Sequence, residues 1–168
     1  LMGDYRDFRE VSRAAAEYVL DQYDEPGDVD LILREQLSIT PFGDVRGALK
    51  RLGAGHRLAI LSNGHPDALS ALIANAALAG VFEWVVSVHE VRRFKPSPEV
   101  YQLLLDRTGA ARERLLFVSS NGWDAAGAAG FGLRVAWVNR IGAPRERVGG
   151  TPELVVADLQ ELAGRLGA

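Results

Sequence analysis

Cysteine is absent from the 168 residues, and the chain holds one methionine and three histidines. Without thiols, neither a disulfide framework nor a thiolate metal site can form. No apolar run approaches the about 20 residues that a bilayer-crossing helix needs, and no segment has the pattern of a signal peptide. Neither sign of charge dominates: 19 Lys and Arg stand against 22 Asp and Glu, a net charge of −3. The two signs are interspersed, so no basic face for nucleic acid stands out. A cytoplasmic protein with no nucleic-acid or membrane partner is the expectation. No internal repeat or low-complexity stretch is present. What is present is a composition that is 48% hydrophobic, which fits one globular domain with room for a small accessory lobe. The chain opens on Leu1 rather than Met, which reads as the interior of a longer reading frame.

The order of apolar residues changes character along the chain. Phe8, Val11, Ala15, Tyr18 and Val19 recur at helical spacing, predicting a helix over Tyr5 to Leu20, and Val29 to Leu37 reads as a second. Pro41-Phe42-Gly43 breaks that pattern, and Asp44 is placed to cap a third helix that Gly53-Ala54-Gly55 stops. Beyond this point short apolar runs alternate with helices. Strands are expected at Leu58 to Leu61, Trp84 to Val88, Leu115 to Val118, Arg134 to Val138 and Val155-Val156. Helices are expected at Pro66 to Ala77, Pro98 to Thr108, Asp124 to Gly130 and Leu159 to Leu166. Fully apolar strands alternating with helices predict a doubly wound parallel α/β core, Rossmann-like, over residues 42–168. Residues 1–41, all helical, read as a cap.

Ligands of such sheets bind beyond the carboxyl ends of the strands, and three segments here carry polar groups to that edge. Leu58 to Leu61 is followed by Ser62-Asn63-Gly64, whose hydroxyl and amide donors suit an anion, though alone it reads equally as an Asn-Gly turn. Phe94-Lys95-Pro96-Ser97-Pro98 places a lysine where prolines fix the entry to a helix, or simply a solvated lysine beside a helix start. Leu115 to Val118 runs into Ser119-Ser120-Asn121-Gly122-Trp123-Asp124, where Asp124 is either an N-cap or a functional carboxylate. Tyr101, about one turn along the helix after Lys95, can reach the same cleft or pack. Gly127, Gly130 and Gly132 have a superficial look of a dinucleotide loop, but they lie in and after a helix rather than between strand and helix, so that reading is rejected.

The joint pattern Leu61-Ser62-Asn63-Gly64, Lys95-Pro96-Ser97-Pro98 with Tyr101, and Phe117 to Asp124 resembles the type II L-2-haloacid dehalogenases of the haloacid dehalogenase superfamily. Leu1 to Phe8 is similar to that family's early cap segment, and Pro41-Phe42 to its return to the core. The resemblance implies hydrolytic dehalogenation of short L-2-haloacids to D-2-hydroxy acids through an aspartyl ester. It implies a homodimer acting on a small 2-haloacid without a cofactor. Ser62 would bind the substrate carboxylate, and Asn63 and Trp123 would cradle the halide. Lys95 would keep the nucleophile ionised. Ser119, Asn121 and Asp124 would position nucleophile and lysine and help activate water. Tyr101 would join that network, and Phe8 would line the pocket from the cap. Phosphatase relatives carry an acidic Gly-Asp pair at the third strand end to bind Mg²⁺. Ser119 and Ser120 stand there instead, so no metal is expected in the reaction.

The family's nucleophile, an Asp in an Asp-x-x-Gly-Thr motif, and its halide-binding Arg have no counterpart here. Asp4 and Asp7 follow no apolar strand and are not assigned that role. The expected core therefore lacks its first strand, between Leu58 to Leu61 and Leu115 to Val118. A gap of about 10 Å, two strand spacings, should result. The enzyme reading puts the nucleophile upstream and leaves this chain alone inactive. The alternatives are a non-catalytic remnant or a phosphatase-like hydrolase of the same superfamily.

Overall fold

The computed structural model describes residues 5–168. Leu1 to Asp4, which include part of the expected cap segment and Asp4, lie outside the described residues. Helix α1 (Phe8–Tyr23) begins later than the periodicity suggests, because the Asp7 carboxylate accepts from the Arg9 amide and caps it there. Helix α2 (Val29–Glu35), capped by Asp28 on the Leu31 amide, packs against α1, and a 3₁₀ turn over Gln36–Ser38 ends the pair. Neither helix holds a fully buried residue. Their join to the remainder is made by contacts such as Arg9 with Asp67 at 3.0 Å and Asn75 donating to the Leu37 carbonyl.

Helix α3 (Val45–Gly55) runs past Gly53 and ends on Gly55, the last residue of the segment expected to stop it, with His56 as its C-cap. Asp44 precedes it but does not cap it. Its carboxylate has better donors elsewhere, the Arg140 guanidinium at 2.8 Å and the Leu159 amide at 2.9 Å. These two bonds, with the Arg140 charge, hold the Asp44 carboxyl below the usual range, and they tie α3 to α7 (Leu159–Arg165).

Among the described residues the five strands are parallel but form two separate sheets. β1 (Ala59–Ser62) pairs with β2 (Trp84–Ser87) in a register that sets Ser62 opposite Ser87. β3 (Leu116–Ser119), β4 (Arg134–Val138) and β5 (Leu154–Val156) form the second sheet, with Ser119 opposite Trp137. Helix α4 (Pro66–Asn75) follows β1, α5 (Pro98–Thr108) follows β2, and α6 (Gly122–Phe131) follows β3. Between β1 and β3 no ladder forms. A cleft of about 1040 Å³ separates them, lined by Ala59, Ile60 and Leu61 on one side and Leu116, Phe117 and Val118 on the other. The break in the sheet thus lies where the family resemblance implies it, between β1 and β3.

One core joins the two halves across the α5 layer: Val86 of β2, Tyr101, Leu104 and Leu105 of α5, Phe117 of β3, Ala125 and Ala128 of α6, and Val135 of β4. Burial of this apolar surface, at about 25 cal/mol per Å², is what holds the half-sheets in place without a ladder between them. Helix α6 can approach because its facing positions are small. A Cβ on Gly127 would stand 2.5 Å from Pro96 Cβ and 2.9 Å from the Tyr101 hydroxyl. Gly132 ends the helix in the left-handed region at φ +97°. These glycines therefore serve packing and capping. Gly127→Ala should lower stability by about 1–3 kcal/mol through overpacking, read as a reduced urea midpoint; an unchanged midpoint would show that α5 and α6 are not held at this separation.

Candidate active site

The polar strand ends converge on one buried carboxylate. The helix after β3 starts at Gly122, so Asp124 sits in its first turn rather than at its cap, with the side chain turned inward. Its side chain is 4% exposed and that of Lys95 10%, and Lys95 Nζ donates to Asp124 Oδ2 at 3.1 Å. Ser119 Oγ donates to the same oxygen at 2.9 Å, and the Tyr101 hydroxyl donates to Oδ1 at 2.9 Å. Burial in the core, and then the Asp124 charge, push the Tyr101 phenol far up, so it stays a donor. Lys95 Nζ also lies 5.1 Å from the centre of the Phe117 ring, within cation–π range.

The lysine is set from both ends. Its backbone amide donates to Asn63 Oδ1 at 3.1 Å, which leaves the Asn63 NH₂ as a donor for another group. Ser62 Oγ accepts from the Gly64 amide at 3.0 Å and so shapes the turn rather than standing free. Lys95 thus reaches from the carboxyl end of β1 to that of β3, across the mouth of the cleft. Ser119 Oγ accepts from the Asn121 amide at 3.2 Å. Ser120 and Asn121 are exposed at this rim, and the indole of Trp123 is 44% exposed. From α1, Phe8 packs its ring against Phe94, centres 5.9 Å apart, one residue from Lys95.

Lys95, Ser119, Asp124 and Tyr101 are therefore brought into one network, with Asn63 bonded to its lysine. Ser62, Asn121, Trp123 and Phe8 border it without a direct bond to Asp124. Ser87 is a further residue at this edge that sequence reasoning passed over. It is buried, donates to the Gly64 carbonyl at 2.7 Å and accepts from the His89 amide at 3.1 Å. The signal was available: β2 also ends in a hydroxyl, but the strand was read one residue too far, to Val88. Two histidines after the strand ends also have an acidic neighbour. Asp7 Oδ2 lies 3.6 Å from His65 Nε2 and 3.6 Å from His89 Nδ1, because the cap of α1 is folded onto the turns after β1 and β2.

Chemically, the network holds one ammonium in a desolvated position, with hydroxyl and amide donors around a concave strand-end rim. No paired carboxylates that would suit Mg²⁺ stand at the end of β3, where Ser119 and Ser120 lie. The family model described as haloacid dehalogenase-like hydrolase matches residues 1–132. Haloacetate dehalogenase H-2 of Moraxella sp. (strain B) is 41% identical over 160 residues, covering 93% of this chain and 71% of that protein. (S)-2-haloacid dehalogenase 2 of Pseudomonas sp. (strain CBS-3) is 39% identical over 170 residues, covering 99% of this chain and 74% of its own length. The structure of L-2-haloacid dehalogenase from Xanthobacter autotrophicus with chloropropionic acid covalently bound matches at a TM-score of 0.92 and 36% identity, covering 99% of this chain and 78% of that one. The chain belongs to the haloacid dehalogenase-like hydrolases.

Proposed function

We propose that the protein hydrolyses short L-2-haloacids to D-2-hydroxy acids. The observation that carries this reading is the buried Lys95–Asp124 pair, closed by Ser119 and Tyr101 at a strand end that has serines in place of a metal-binding acidic pair. The relatives' names, and the covalently bound chloropropionic acid in one of them, support the same substrate class. A carboxylate would attack C2 and expel halide with inversion. Water would then hydrolyse the resulting ester, returning the carboxylate and releasing the hydroxy acid. Lys95 would keep the attacking carboxylate charged, Asp124 with Ser119 would fix that lysine, and Asn121 would help position the nucleophile and the water. Ser62 would take the substrate carboxylate, while the Asn63 NH₂ and the Trp123 indole N–H would face the departing halide. Residues 1–41 would act as a cap over the core of residues 42–168, with Phe8 on the pocket wall. A cytoplasmic homodimer is part of the same proposal, supported by Tyr18, Val19 and Tyr23 lying exposed on α1.

Asp124 is not the nucleophile in this proposal, since both its oxygens already accept from Lys95, Ser119 and Tyr101. The attacking carboxylate would arrive on a further parallel strand seated between β1 and β3, whose carboxyl end would meet Lys95. The unpaired edges of the 1040 Å³ cleft support this placement.

Three outcomes follow. Extended by the strand that completes its sheet, the protein should release halide from L-2-chloropropionate in excess chelator. Phosphate release that depends on Mg²⁺, with no halide release, would replace the dehalogenase reading by a phosphatase one. In that same protein, Lys95→Met and Asp124→Asn should each lower halide release by about 10²-fold or more. Lys95→Met alone should also cost about 3–5 kcal/mol of stability by leaving a buried charge unpaired. The double variant should recover much of that stability yet stay inactive, which separates catalysis from folding. Residues 1–168 alone should give no turnover; halide release by a folded monomer of this chain would move the nucleophile to Asp4 or Asp7.

A further inference from the structure

We propose that Asp7, His65 and His89 form a binding site for a divalent transition-metal ion of the zinc class, one that pins the start of α1 to the core. One ligand atom from each of the three lies within 4.8 Å of those of the other two. The Asp7 carboxylate divides its work: Oδ1 caps α1 on the Arg9 amide at 2.8 Å, and Oδ2 faces both imidazoles at 3.6 Å. Those separations are long for N–H···O hydrogen bonds, which favour about 2.7–3.2 Å. They are close to the edge of a tetrahedron around zinc, where bonds of about 2.1 Å put neighbouring ligand atoms about 3.4 Å apart. The imidazole rings are 4.9 Å apart and steeply inclined at 69°, so they meet edge to face rather than stacking flat.

Both histidines are held in position by backbone. His65 stands at the cap of α4, directly after the Ser62-Asn63-Gly64 turn, and His89 lies in the 3₁₀ turn after β2. Ser87 ties the two turns together through the Gly64 carbonyl and the His89 amide. Ligation through Nε2 needs the His65 tautomer that carries its proton on Nδ1, in exchange for the bond Nδ1 now accepts. The His65 Nδ1 that now accepts from the Asp67 amide at 3.3 Å is 3.5 Å from Asp67 Oδ2. With Nε2 on a metal, Nδ1–H would point to that carboxylate, the usual outer partner of a metal-bound imidazole. His89 Nδ1 is bonded to the Tyr5 hydroxyl at 3.0 Å, which would shift to make room or turn to a water on the ion. Arg9 pairs with Asp67, and Arg92 lies over the Tyr5 ring, so the cationic groups nearby are already engaged. Asp7 and His65 side chains are 24% and 20% exposed, and that of His89 44%, leaving a path for an ion from solvent. Such an ion would clamp α1 beside the Asn63–Lys95 turn; it takes no step in the proposed reaction.

The test needs no halide assay, so its failure and that of the dehalogenase reading are distinguishable. Metal-free protein is titrated with zinc chloride by calorimetry. One ion per chain is expected, with binding weakened about 100-fold or more by His65→Ala and by His89→Ala, and about 10-fold by Asp67→Asn. The third histidine of the chain, His56, is the control, and His56→Ala should bind as the parent does. Imidazole NMR of the unsubstituted protein gives a reading that does not depend on whether a variant folds: two of the three histidines should shift with zinc, and His56 should not. Absence of zinc binding, binding that persists in the His65→Ala/His89→Ala double variant, or a shift confined to His56 would overturn the proposal.

Discussion

The contact on which this structure turns is the buried bond between Lys95 and Asp124. Lys95 belongs to the β1–β2 half of the molecule through the hydrogen bond its backbone amide donates to Asn63, and Asp124 belongs to the β3–β4–β5 half through Ser119. With no ladder between the halves, this ion pair and the α5 core beneath it are what join them at the carboxyl edge. A buried pair of this kind is a poor source of net stability, because desolvation offsets much of its Coulomb gain. What it does provide is position. An ammonium with one permitted orientation is the prerequisite for acting on a second carboxylate, and the packing of Gly127 under Pro96 and Tyr101 sets that orientation from below.

The cleft gives the ion pair its meaning. Two facing strand edges, each with unmatched backbone donors and acceptors, impose on an occupant an extended conformation and a register, and the proposed strand runs parallel to both. Its carboxyl end would emerge at Lys95, Ser62 and Ser119, where the donors already converge. Position and chemistry are therefore set by the same geometry. A carboxylate delivered by that route meets a cation, hydroxyls and amides, and no acidic pair that would call for a divalent metal at the end of β3. The three relatives compared above are dehalogenases in name, and the match covers 71–78% of their lengths.

The side of α1 and α2 obeys a different logic. Helices α1 and α2 bury little and are held by a few directed contacts: Arg9 with Asp67, Phe8 with Phe94, and the convergence of Asp7 on His65 and His89. An element held this way stays close to the low end of local stability. Its distance from the Asn63–Lys95 turn is consequently sensitive to any group that draws Asp7 and the two imidazoles together.

Much of the core was legible in the order of the amino acids, for a physical reason. Strands buried on both faces must be apolar throughout, and polar residues can end them only where a ligand or a turn meets their backbone. So Lys95, Ser119, Asp124 and Tyr101 could be named from their places after β2 and β3, while the break in the sheet followed from the resemblance to a family whose first strand has no counterpart here. Local sequence could not decide between competing partners. Asp44 has the look of a helix cap, yet Arg140 and the Leu159 amide, distant in the chain, are better donors for it. Gly53 has the look of a stop, yet α3, packed on α7, runs two residues further and ends on Gly55. The convergence of Asp7, His65 and His89 has no sequence signature, because three separate turns meet only when β1 and β2 pair in register and α1 folds over them. Periodicity and composition determine which residues form each element; which side chains meet is settled by long-range packing, where burial and the competition for hydrogen-bond partners are resolved.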